Sequence, residues 1–189
     1  MRAVVFDCPC WDCDLTDRYR LPVVAARLEE RGEPEAAAAV HLLAEKSERI
    51  TAADESWVLM QHLGDAYLDL FFCRPESARS YEALTASAGF SDEEWARGLS
   101  HLTLLSALYE SQLHLLAELT VPSLLVHGTG DLVVPPVVVE AYRRQVRGSS
   151  VHTFAESGHF GYFEEPDAYA DVLTAFVTRH CGMPVARRT

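Results

Sequence analysis

Positive charge is scarce in this sequence. Sixteen Lys and Arg residues stand against 28 Asp and Glu, a formal net charge of −12 over 189 residues, and no basic stripe is visible. A partner held through its phosphate backbone is excluded on that ground, so no nucleic acid is expected. Long apolar runs are missing too. Arg, Asp, His or Gln interrupts every stretch before the roughly 18 residues that a membrane span needs, so no membrane partner is expected. Residues 1–7 hold too short an apolar stretch for a secretory leader. Cysteine is sparse and odd in number, with Cys8, Cys10 and Cys13 clustered and Cys73 and Cys181 alone. Without a leader these read as reduced thiols in a cytoplasm. Repeats of fixed period and low-complexity segments are absent, a short alanine run at residues 36–39 aside. The apolar content is high enough for a packed core, which fits one domain or one domain with an inserted subdomain.

What is present is an alternation of segments. Ala3-Val4-Val5-Phe6 is a short continuous apolar run, the pattern of a strand buried on both faces. From about residue 22 to 119 the signals are helical. Pro22 and Pro34 stand where a first helical turn tolerates proline, and Thr51 with Asp54 and Ser91 with Glu94 have the spacing of capping boxes. Trp57, Met60, Leu63, Tyr67 and Leu70 recur at helical spacing, as do Leu102, Leu105, Tyr109, Leu113 and Leu116. Arg74-Pro75 and Gly89 punctuate the run. At Val121-Pro122 the period changes. Ser123-Leu124-Leu125-Val126-His127 reads as a strand closed by Gly128-Thr129-Gly130-Asp131. Pro135-Pro136 opens a helix to about residue 146, and Ser150-Val151-His152-Thr153-Phe154 reads as a third strand. Glu165-Pro166 starts a last helix with Tyr169, Val172, Leu173 and Phe176 on one face. Strands alternating with helices predict an α/β fold with a parallel sheet. Residues 182–189 are expected to fray.

In such a sheet, groups that do chemistry collect at the carboxyl ends of strands. Asp131 follows the second strand and His159 the third, 28 residues apart. Adjacent parallel strands bring the two turns together. A carboxylate beside a histidine fixes the imidazole tautomer and stabilises its protonated form, which is the supporting half of a nucleophilic relay. Taken alone, Asp131 also suits a turn cap after Gly130. The clustered thiols read as free loop thiols, because a zinc site wants four ligands in paired spacing. Asp7, Asp12, Asp14 and Asp17 read as a solvated acidic loop. His41, His62, His101 and His114 lie in helical stretches, where a structural role is the default.

The stretch from Val121-Pro122 through Gly128-Thr129-Gly130-Asp131 to Pro135-Pro136 resembles the acid-bearing segment of α/β-hydrolase-fold enzymes. Ser157-Gly158-His159-Phe160, with Phe163-Glu164-Glu165-Pro166 after it, resembles their histidine segment. The order Asp then His matches that family. By appearance the nearest relatives are proline-iminopeptidase-like hydrolases, with a helical cap between the sixth strand and the acid strand. Arg2-Ala3-Val4-Val5-Phe6-Asp7 looks like that sixth strand. The resemblance implies a partial α/β-hydrolase fold: a short parallel sheet of about three strands with a helical cap insertion. Residues 1–14 would form the first core strand and loop, 15–119 the cap, 120–181 the core carrying Asp131 and His159, and 182–189 a tail.

The departure from the family is large. No Gly-x-Ser-x-Gly occurs, and the upstream strands, oxyanion-hole loop and nucleophile elbow have no counterpart. Ser157 sits too close to His159 in the same turn to replace the serine, and Ser123 lies at the wrong end of its strand. The expectation is the C-terminal part of a serine-type hydrolase of esters or amides, inactive by itself, with Asp131 and His159 as its catalytic pair. The alternative is a non-catalytic interaction subunit pairing through its first strand. Substrate contacts are expected from Trp57, from Phe160 and from Glu93, whose acid would meet a free amino terminus in an iminopeptidase-like cap. A small-molecule or peptide substrate is expected only when the missing half is supplied. The unpaired edge of residues 3–6 would recruit a second copy or another chain. No cofactor or metal is implied.

Overall fold

The computed structural model describes residues 2–98, 100 and 104–182. Leu102, His101 and residues 183–189 of the expected tail lie outside the described residues. Three parallel strands, β1 (Val4–Asp7), β2 (Ser123–Gly128) and β3 (Ser150–Phe154), form a sheet in the order β1-β2-β3. Val4 to Asp7 run beside Ser123 to Val126, and Leu124 to Gly128 beside Ser150 to Phe154. Side chains alternate across a strand, so β2 feeds two cores. Leu124 and Val126 pack with Phe154 and Phe176 under the helix Pro166–Cys181, where Tyr169, Val172 and Leu173 join them. Leu125 faces the other way, onto Tyr142 and Val146 at the end of the helix Pro136–Gln145, with Phe6 and Trp11 beside it. The sheet is thus covered by a helix on each face.

The central strand is buried except at half-buried His127, but β1 is not. Val4, Val5 and Phe6 are half-buried and Asp7 is exposed, so the expectation of burial on both faces fails. Among the described residues β1 pairs with β2 alone, and its other edge has no strand beside it.

Residues 8–122 connect β1 to β2. The helices are α1 (Cys13–Glu30), α2 (Pro34–Ala44), α3 (Ser56–Met60), α4 (Pro75–Ser87), α5 (Asp92–Gly98) and α6 (Leu105–Leu108); Pro136–Gln145 is α7, Gly161–Glu164 α8 and Pro166–Cys181 α9. Pro34 and Pro136 open their helices as expected, but Pro22 lies inside α1. The helix starts earlier, because Asp12 caps it by accepting the Leu15 N–H. Leu21, Val24, Leu28, Val40, Ile50, Met60, Leu63 and Leu70 form the core of this region.

The segment from residue 52 to 71 is not one helix. It breaks into three-residue-per-turn pieces at Ala52–Asp54, Gln61–Ala66 and Leu68–Phe71, and Gly64 turns the chain at φ +56°. The apolar spacing explains the difference. Met60 to Leu63, Tyr67 to Leu70 and Leu113 to Leu116 are three apart, a repeat that a tighter helix satisfies as well as an α-helix does. Thr51 N–H still meets Asp54 at 2.7 Å, capping a tight turn instead of a long helix, and Ser91 and Glu94 cap α5 reciprocally.

The acidic residues after β1 are not solvated. Asp12, Asp14 and Asp17 are buried, and each meets an arginine: Arg49 at 2.7 Å, Arg18 at 2.9 Å and Arg20 at 2.6 Å. Asp14 also accepts the Ile50 N–H, and Asp17 accepts the Tyr109 hydroxyl at 2.7 Å. Buried carboxylates persist when they are paired and hydrogen-bonded, and here arginine is the cation they hold. Among the described residues no helix is long and apolar enough to cross a membrane.

Candidate active site

The turn after β2 and the turn after β3 meet closely. A Cβ on Gly128 would overlap the backbone of Ser157 and Gly158, so only glycine fits where β2 passes the histidine turn. A Cβ on Gly158 would fall 2.6 Å from the Phe71 carbonyl. His159 then donates its backbone N–H to that same carbonyl at 2.8 Å.

Two glutamates fix this turn. The buried Glu164 carboxylate accepts Gly158 N–H at 2.6 Å, Cys73 N–H at 3.1 Å and Arg74 N–H at 3.3 Å. Glu165 accepts the Glu156 N–H and, at 2.6 Å, the Ser157 hydroxyl. Ser157 is fully buried and spends its proton on Glu165. Ser123 is likewise committed, to the Tyr142 hydroxyl at 2.7 Å. Neither serine is presented as an attacking group.

The result is an Asp131–His159 contact of 3.3 Å between Oδ1 and Nδ1. Asp131 is 2% exposed, and the same oxygen accepts the Val133 N–H at 2.8 Å. The turn-cap role and the histidine-partner role therefore belong to one carboxylate. Burial by itself pushes the Asp131 carboxyl up; the hydrogen bond and charge of His159, with the Val133 N–H, outweigh it and hold the group below the usual carboxylate range. Asp131 stays charged and selects the His159 tautomer whose Nδ1 carries the proton, leaving Nε2 to accept one.

Aromatic rings wall the imidazole. Phe160 and Phe71 lie 5.2 and 5.9 Å from it, centroid to centroid, and Tyr81 stacks on Phe160 at 5.0 Å. Phe160 is thus beside His159. Trp57 and Glu93 stand exposed on α3 and α5, outside this ring cluster. A separate groove of about 210 Å³ touches Asp131 from the His127, Thr129 and Arg143 side, without His159 in its lining.

Sequence reasoning missed Cys8. It follows β1 directly, in the left-handed region at φ +45°, held by its N–H to the Val126 carbonyl at 3.0 Å. Its sulfur, a carboxylate oxygen of Asp131 and a ring nitrogen of His159 lie within 4.8 Å of one another. The strand-end rule that found Asp131 and His159 applied to Cys8 equally. Burial pushes the Cys8 thiol up, and Asp131 and Asp7 add to the shift. It rests protonated. Glu164 was also missed as a positioning group, because its acceptor role is to backbone amides 90 residues away.

Residues 2–172 match the model of the alpha/beta hydrolase family. An esterase (EaEST) from Exiguobacterium antarcticum is 22% identical, with a TM-score of 0.45; the match covers 84% of this chain and 48% of that one. MGS-M2, an alpha/beta hydrolase enzyme from a Medee basin deep-sea metagenome library, is 12% identical, with a TM-score of 0.46 and coverage of 99% and 57%. The chain thus spans about half the length of these solved structures. No curated protein matches. With a family match over nearly its whole length, and with a parallel sheet that ends in an acid and a histidine, this chain belongs to the alpha/beta hydrolase family.

Proposed function

We propose that Asp131 and His159 are the orienting acid and the general base of a serine-type acyl hydrolase, and that the attacking hydroxyl comes from polypeptide other than these 189 residues. The observation that supports this most is the buried, charged Asp131 at 3.3 Å from His159 Nδ1. In this reading His159 Nε2 takes the serine proton during attack on an ester or amide carbonyl, then returns it to the leaving group. Asp131 stabilises the imidazolium between those steps. Phe71, Phe160 and Tyr81 form an apolar wall beside the base, which suits an apolar acyl or prolyl group. A proline-iminopeptidase-like preference remains part of the proposal, although Glu93 stands apart from the wall. The free edge of β1 is where the complementary polypeptide would add a strand.

The test is co-expression with a polypeptide carrying Gly-x-Ser-x-Gly, encoded immediately upstream, and assay on p-nitrophenyl esters and prolyl arylamide. Turnover that His159→Ala abolishes supports the reading. Asp131→Asn is expected to lower kcat by a factor on the order of 10⁴. Turnover indifferent to His159→Ala would overturn it. Turnover by the pure chain alone, lost in His159→Ala, would refute the outside source of the hydroxyl.

A further inference from the structure

Beside the acid–histidine pair lies a second group of reactive atoms that acyl transfer does not use. Cys10-Trp11-Asp12-Cys13 spans the entrance to α1. Asp12 is the N-cap, Cys13 the first helical residue, and the helix continues for 18 residues. The chain bends at Trp11 just before the helix, and the two sulfurs stand 3.3 Å apart. The thiols are free, as expected, but only Cys10 lies in the loop: Cys13 is the buried first residue of α1, and Cys10 is half-buried.

We propose that Cys10 and Cys13 form a thiol–disulfide exchange site whose co-substrate is a low-molecular-weight disulfide of the oxidised-glutathione class. Division of labour follows from position. Cys10 has access to solvent and receives a hydrogen bond from the Cys13 thiol, with the Thr16 hydroxyl oxygen 3.5 Å from its sulfur. The Cys13 hydrogen bond, with the Arg20 charge, holds the Cys10 thiol below the ordinary range despite burial. The same contact and its own burial push Cys13 up. Cys10 is therefore the attacking thiolate and Cys13 the protonated reserve, the arrangement that a Cys-x-x-Cys at a helix start favours.

The exchange balances in two steps. The Cys10 thiolate attacks one sulfur of the small disulfide; a Cys10–S–S–R bond forms, the original S–S bond breaks, and one thiolate leaves. Cys13 then gives up its proton to solvent and attacks the Cys10 sulfur, releasing the second thiolate as the Cys10–Cys13 bond forms. Two protein thiols are oxidised, and the small disulfide is reduced to two thiols that take up the two protons. The sulfurs must approach by only about 1.3 Å to reach bonding distance.

The site is tied to the acid turn. Thr16, which touches Cys10, donates its hydroxyl to the Val133 carbonyl at 2.8 Å, and Val133 N–H is bonded to Asp131. Cys8, whose sulfur lies by Asp131 and His159, is two residues before Cys10. The proposal itself stands apart from the acyl-transfer reading and is tested without any hydrolase assay.

The experiment equilibrates the pure chain with mixtures of oxidised and reduced glutathione, quenches with a maleimide, and maps the thiols by mass spectrometry. The wild-type chain is expected to lose two hydrogens, with Cys10 and Cys13 joined and three of its five cysteines still labelled. Cys13→Ser is expected to accumulate glutathione on Cys10, because the resolving thiol is gone. Cys10 in that variant should react on the order of tenfold faster at neutral pH than the exposed Cys73. Stable glutathione on wild-type Cys10, joining of Cys8 to either partner, or reaction at Cys73 with Cys10 untouched would each overturn the proposal. A Cys73→Ser, Cys181→Ser background that still forms the bond excludes those two thiols as its source.

Discussion

Replacing Glu164 by alanine removes the acceptor that joins the histidine turn to residues 73 and 74. Its carboxylate takes three backbone N–H groups, at 2.6, 3.1 and 3.3 Å. A hydrogen bond to a charged group contributes about 1.5–3 kcal/mol, and a buried donor left without a partner costs about 1–3 kcal/mol. Cys73 and Arg74 are exposed, so water takes over their amides at little cost; the Gly158 amide is buried and stays unsatisfied. The expected loss is therefore about 2–4 kcal/mol, not the sum of three full bonds. For a chain of this size that lowers Tm by about 5–15 °C. Thermal and urea unfolding, followed by circular dichroism, read the total, and amide hydrogen exchange locates it. The Gly158 and His159 amides should exchange at least about tenfold faster in Glu164→Ala, with β2 unchanged. Glu164→Gln keeps one oxygen and should lose roughly half as much. A Glu164→Ala chain within about 0.5 kcal/mol of wild type, with unaltered exchange at those amides, would refute the reasoning.

Other outcomes follow from the same contacts. Leu28→Ala empties a fully buried position between α1 and α2 and should cost about 2–5 kcal/mol, whereas Leu42→Ala, 76% exposed, should stay within about 0.5 kcal/mol in the same unfolding assay. Asp17→Ala leaves Arg20 without its partner and should cost about 3–5 kcal/mol by urea unfolding, far more than a surface pair. Tyr142→Phe strands the buried Ser123 hydroxyl and should lower stability by about 1–3 kcal/mol. Asp131 is held below its ordinary value when folded, so its contribution to stability is complete above the unfolded carboxyl value near 3.9 and is lost as pH falls from there toward the folded value. Urea midpoints at about pH 5.5 and about pH 3 should fall less steeply with acid in Asp131→Asn than in wild type.

The sheet and the Asp131–His159 contact were legible in the sequence because one rule, function at the carboxyl ends of parallel strands, placed both residues. The apolar runs of β2 and β3 are unambiguous, and prolines mark the start of α7 and α9. The pairing of Asp12 with Arg49, 37 residues on, is a distance no local pattern reports, whereas Arg18 and Arg20 stand within one helical turn of Asp14 and Asp17. Between Thr51 and Phe71 the apolar spacing of three serves two kinds of helix, so periodicity alone reports a helical region without its breaks. The Cys10–Cys13 approach depends on α1 beginning at Cys13, well before Pro22.

The backbone bond from His159 to Phe71, and the carboxylate that spans Gly158 to Cys73, fasten the base to the chain that roofs it. The roof over the imidazole is therefore not a door. Phe71 to Cys73 and the histidine move together as one jaw.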